Sequence, residues 1–291
     1  MLIDTPTLVW CIAIPLGIMT FAAVICWLID KRASQNDDGP SASTVMLTAT
    51  ILAFAWWLSV TLSLRGSGSL VLWAEDAWPR MIWPMLASVL LLSPHSTTTV
   101  RNQPWLWVVM AWIAVVAASL AMPSGEAWVD MFPLHRLWIA AITIATTFNS
   151  FALQGMSDRG AARWLPLVIL AGLACAAITG AATYGALLQT CLGAIVATVA
   201  VAAFAILSLI PSCAAIVFPS VLFMTTMIAA GRFYSYADIS PLAYGLALFA
   251  PGLIAVADCA VRDKSVPTRV SIAGVMAIAI VTATAYRFLI A

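Results

Sequence analysis

Charge is what this sequence has least of. Only 9% of its 291 residues are Asp, Glu, Lys or Arg, against roughly a quarter in an ordinary soluble domain. Histidine occurs twice, and from Trp164 to Gly231 there are 68 residues without one Asp, Glu, Lys, Arg or His. A net charge of +1 with no basic cluster leaves no footprint for nucleic acid as a partner. The six cysteines form no C-x-x-C pair, so neither a zinc site nor a redox dithiol is suggested. They read as small buried hydrophobes. No G-x-S-x-G, H-E-x-x-H or phosphate-binding glycine loop is present. We therefore expect no metal and no cofactor, and an enzyme is disfavoured.

What is present is apolar. Residues of that kind make up 63% of the chain. As helix, at roughly 1.5 Å per residue, the uncharged tract alone would be about 100 Å long. That is enough to cross a hydrocarbon core of about 30 Å three times. The expected fold is all-α: a polytopic transmembrane helix bundle of about ten spans with short loops. Residues 1–291 would form one integral membrane domain with the lipid bilayer as its surroundings.

The spans follow from the apolar runs and their interruptions. The first is Thr7–Ile29, the second Thr44–Leu64, the third a short stretch from Trp78 to Ser93, and the fourth Trp105–Met122. The fifth ends near Gln154. Gly180–Gly185 separates the sixth from the seventh, Pro211–Ser212 the seventh from the eighth, and the ninth and tenth follow Pro241 and Arg269. The first run has basic residues after it, Lys31 and Arg32, and none before it, the reverse of a signal peptide. With the N-terminus outside, eight basic residues fall on the cytoplasmic side and five outside, a modest positive-inside bias that fits a bacterial cytoplasmic membrane. The same topology puts His95 and His135 on opposite sides, which excludes a site built from both.

One pattern recurs. Asp76 to Pro79, Asp130 to Pro133 and Asp238 to Pro241 share the form D-x-x-P before odd-numbered spans. Asp suits a helix N-cap, and proline suits a first turn whose N–H groups have no partner. These are expected to be helix starts. Glu75, Asp76, Arg80, Asp130, Arg136 and Asp238 would also form an outer mouth attractive to cations. Trp73, Trp78, Trp83, Trp128 and Trp138 around these openings match an interfacial aromatic belt.

Inside the membrane, charge is costly and each instance is a functional suspect. Asp258 is the main one, with Arg262 one turn later as its expected partner. In the fifth span Thr143, Thr147, Ser150 and Gln154 fall at steps of four, three and four, a polar stripe that would either bond neighbouring helices or line a hydrated passage. Gly172, Ala176 and Gly180 form a small-residue packing ridge. Pro15, Pro219 and Pro251 interrupt spans, and broken helices often build midplane sites. Length and helix count are similar to those of the drug/metabolite transporter superfamily, built as a five-plus-five repeat. None of its motifs is present, and its cytoplasmic termini oppose the orientation read here. Two functions compete: a permease for a small-molecule substrate, and a non-transporting scaffold. A hydrated cavity reaching the midplane would favour the first, and a bundle with its polar groups paired to neighbours the second.

Overall fold

Ten helices carry most of the described residues, and no strand occurs among them. The computed structural model describes residues 5–33, 41–66, 76–95, 103–157, 162–210, 213–234 and 239–289. The helices are α1 (Thr5–Ala33), α2 (Ala42–Gly66), α3 (Ile82–Leu92), α4 (Pro104–Ala121), α5 (Phe132–Met156), α6 (Leu165–Thr183), α7 (Gly185–Ile206), α8 (Val217–Phe233), α9 (Pro241–Ala260) and α10 (Val266–Leu289). With their flanking turns, nine of them are long and apolar enough to cross a membrane; α3 is the exception. The chain is a multi-pass integral membrane protein.

α3 is short, yet it spans the bundle. Its eleven helical residues cover about 16 Å. The 3₁₀ turns Trp78–Met81 and Ser93–His95 extend it at both ends, adding about 14 Å at roughly 2.0 Å per residue. At one end the Ala77 N–H donates to the Tyr234 hydroxyl (3.0 Å), just past the end of α8. At the other, Ser93–His95 touches Ala214–Ile216, where α8 begins. The short element therefore runs beside α8 from end to end, and the ten helices alternate between two faces.

Thr7, Gly66, Asp76, Tyr184 and Tyr234 share the N-terminal face. There Gln189 Nε2 donates to Thr7 Oγ1 (3.2 Å), and Gly66 closes on Trp10 and Cys11. Ser93–His95, Trp105 and Ala214 lie at the opposite face, with the His95 and Trp105 rings 5.5 Å apart. The His135 ring meets Phe233 edge-on at the N-terminal face (4.7 Å), so the two histidines are separated by the bundle.

α8 is the axis. Its apolar window is 100% buried, against 28% for α1 and 22% for α10. Helices α3, α4, α5, α6, α7 and α9 all touch it. In lipid every backbone group must be satisfied within the protein, and the sequence arranges this locally. Prolines occupy the first turns of α4, α5, α6 and α9, where no bond is lost. Thr50, Thr61, Thr143, Thr179, Thr198, Thr225, Thr226 and Thr284 donate to the carbonyl four residues back, hiding their hydroxyls from the hydrocarbon.

α6 and α7 form a hairpin with a single non-helical residue, Tyr184, between them. Gly180 permits it, because a Cβ there would lie 2.7 Å from the Leu188 nitrogen. Pro15 is accommodated by the wide π turn Val9–Ala13 just before it. Pro219 is the third residue of α8 and interrupts nothing, contrary to expectation. Trp78 (0% exposed) and Trp138 (8%) are buried, so they do not belong to an interfacial belt. Trp83 and Trp128 are only partly covered, and Trp73 lies outside the described residues.

Candidate functional site

The break in α9 is filled by a side chain from another helix. Pro251 brings no N–H to the ladder, and its ring pushes on the preceding turn. The next rung would join the Gly252 N–H to the Leu248 carbonyl. Instead the Asn149 amide of α5 occupies it: Nδ2 donates to Leu248 O (2.7 Å), and Oδ1 accepts from the Gly252 N–H (2.8 Å). One amide thus completes both halves of an opened helical bond. Glycine at 252 is required, since a Cβ there would collide with Phe148 and Asn149 Oδ1. On the other flank α6 presents Gly172, where a Cβ would sit 2.6 Å from Pro251 Cγ. One turn before Asn149, Thr146 shares a 2.8 Å hydrogen bond with Thr225 of α8. Four helices meet here with no room to spare.

Two turns after Pro251, on the same face of α9, is Asp258. Its exposure is 1%. Its partner is Arg269 of α10, with Nε to Oδ1 at 2.9 Å and Nη2 to Oδ2 at 2.8 Å, a bidentate pair. The expected partner, Arg262, is exposed and reaches only Asp263, at 3.7 Å. The reason is that α9 stops at Ala260: the next amides turn tightly back to Asp258 and Cys259, and the four-residue spacing no longer puts both side chains on one face. The sequence places Arg269 at the end of a loop, because its apolar run starts α10 after that residue, whereas the helix begins at Val266.

The pair forms the floor of a crevice of about 110 Å³ between α6 and α10. Trp164, Leu167, Val168, Val270, Ala273 and Gly274 contribute walls. Val168, in the crevice wall, lies one turn from Gly172, which packs against Pro251. The α9 face and the α6 face run together from the opposite face of the bundle towards its middle.

The α5 stripe divides. Ser150 and Gln154 are buried, whereas Thr143 and Thr147 are half-buried and edge an open groove of about 540 Å³ shared with Trp107, Ile144, Phe148 and Phe151. Thr143 spends its hydroxyl proton on Ile139 O (2.8 Å). Ser150 Oγ and Ser220 Oγ are buried with no hydrogen-bond partner among the described residues. Asn149 and Thr146, beside the stripe in sequence, make the inter-helix bonds.

Of the mouth residues, Asp76 accepts a long bond from the Tyr184 hydroxyl (3.4 Å), and the Tyr184 and Tyr234 rings stack at 5.8 Å. Burial foremost, and then the Asp76 charge, hold the Tyr184 phenol above its ordinary pKa; burial does the same at Tyr234. Arg80 is half-buried near them, while Asp130 and Arg136 are exposed. Glu75 and Asp238 lie outside the described residues. Asp130 caps nothing: α5 is capped at Met131 without a side-chain bond, and a 3₁₀ turn, Glu126–Met131, supplies the lead-in. The prolines of the repeated pattern do sit in first turns, at 79, 133 and 241.

Searches against known protein families, curated proteins and solved structures find no match to this chain.

Proposed function

We propose that this chain is a small-molecule permease of a bacterial cytoplasmic membrane, with its N-terminus outside and the α6–α9–α10 crevice opening on the cytoplasmic side. One observation carries the reading: α9 has a proline break and a buried charge pair two turns apart on one face, and the pair lines a crevice. Keeping Asp258 and Arg269 out of water is expensive, and apolar packing would fasten α9 to α10 at less cost. A broken helix next to a removable charge pair is what a moving element needs. The conformation described here has that path closed, with Asn149 and Gly172 tight against Pro251.

The same tightness favours a second reading, a non-transporting scaffold whose polar groups are permanently paired. Thiol accessibility separates the two. Ala255 is 1% exposed on α9 between the break and the ion pair. With the six natural cysteines replaced, Ala255→Cys in intact membranes should be alkylated by maleimide, because a permease must open this path to water. A control, Ala229→Cys on α8, should stay unreactive. Protection of both positions over hours would leave the scaffold standing and the permease refuted.

A further inference from the structure

The crevice between α6 and α10 has the length of a lipid chain and a charged mouth, whether or not the protein transports anything. Along α10 its lining runs from Val266, the first residue of the helix, to Ala277. At roughly 1.5 Å per residue that is about 16 Å. A hydrocarbon core is about 30 Å thick, so the slot has the depth of one leaflet. Apart from Asp258 and Arg269 near the mouth, its lining is almost wholly apolar.

The slot is open sideways. Leu167 and Val266 on its rim are 40% and 53% exposed, and further along α10 Val275 and Ile278 are 66% and 69% exposed. The apolar window of α10 is the least buried of the nine long helices, so this side of the bundle meets lipid. Gly274 keeps the wall open, with nothing within 4 Å of where its Cβ would be. The crevice holds about 110 Å³. A helix with side chains, about 10 Å across, does not fit such a slot; a flexible hydrocarbon chain does.

Charge at the mouth selects the head. Arg163 immediately precedes Trp164 of the lining, and Lys264 lies two residues before Val266. Both are exposed. Arg262 pairs with Asp263 and Arg269 with Asp258, whereas neither Arg163 nor Lys264 pairs with a carboxylate among the described residues. Two cations therefore stand where α6 and α10 enter the membrane, beside the open end of the slot. Their field favours an anionic head over a zwitterionic one. Such a head is held without disturbing the buried Asp258–Arg269 pair.

We infer that the crevice binds an anionic membrane lipid, with one acyl chain lying between α6 and α10 and the anionic head at Arg163 and Lys264. The inference rests on the crevice and its mouth and is independent of the permease reading.

Native mass spectrometry of the detergent-purified protein tests this, with phosphatidylglycerol, phosphatidylethanolamine and phosphatidylcholine titrated separately. Phosphatidylglycerol should bind roughly tenfold tighter than the other two, and the margin should shrink as salt is added. Arg163→Gln/Lys264→Gln, at two exposed positions, should erase the preference. Gly274→Leu fills the slot without steric conflict and should weaken phosphatidylglycerol binding without lowering the unfolding midpoint. Free glycerol phosphate should compete poorly, because the chain is part of what is bound. Equal binding of the three lipids, or a preference that survives Arg163→Gln/Lys264→Gln, overturns the anionic head. Binding unchanged by Gly274→Leu, or full competition by glycerol phosphate, overturns the crevice as the seat of the chain.

Discussion

Replacing Asn149 with Ala removes the amide that completes the α9 ladder at Pro251. The Leu248 carbonyl and the Gly252 N–H, now bonded at 2.7 and 2.8 Å, both lose their partner. Side-chain hydrogen bonds between membrane helices average about 0.6 kcal/mol and reach about 1.7. Two of them place the loss at about 1–3 kcal/mol. Water cannot replace them in a site where neither Gly172 nor Gly252 has space for another atom. By the scaling for soluble domains, this corresponds to a melting point lower by about 5 °C. The natural cysteines supply the assay: five of the six are buried, so a fluorogenic maleimide reports their exposure on heating. Pro251→Ala gives the control. With an N–H restored at 251, α9 can close its own ladder, and Asn149→Ala should then cost less than half as much. If Asn149→Ala melts with the wild type, or costs the same with and without Pro251, the amide does not complete the helix and the reasoning is wrong.

Removing one partner of the buried ion pair, by Asp258→Leu or Arg269→Met, should cost about 3–5 kcal/mol. The loss should show as a lower midpoint in the same melt, and an unchanged midpoint for both variants would contradict the pairing. Gly193→Ala would drive a Cβ into Ser63 and should cost about 1–3 kcal/mol, with Ser63→Gly in the same chain restoring the midpoint. The raised Tyr184 and Tyr234 phenols should keep their protons as pH rises through 10, so the bond that Tyr184 donates to Asp76 persists there and is lost only at higher pH. In an alkaline absorbance titration, Tyr184→Phe/Tyr234→Phe should delete late-ionising phenol; loss of early-ionising phenol would contradict the environment described.

The apolar runs foretold the helices closely because, in lipid, length and hydrophobicity leave little else for a chain to be. The third span was read as short, and it is; its 3₁₀ extensions complete the crossing, and hydropathy carries no sign of those. Asp258 stood out because charge is rare here, but its partner was sought along its own helix. Arg269 lies across a turn whose tightness depends on where α9 ends, and spacing alone does not determine that. Asn149 is visible in the sequence alongside the stripe, but a helical period identifies a face and not the backbone opposite it. The pairing of Asn149 with Pro251 joins residues 102 positions apart, and only tertiary packing brings them together. The Asp residues of the repeated motif looked like caps because their spacing from proline was right; in the two described cases 3₁₀ turns take that place.

The central claim is that ten helices alternate between two faces around α8, and single-cysteine labelling tests it most directly. In a background free of the natural cysteines, Glu126→Cys and Ser240→Cys should react with an impermeant maleimide from one side of sealed vesicles. Ser43→Cys and Lys264→Cys should react only from the other. Labelling of positions 126 and 264 from the same side would contradict the threading and the closed path built on it.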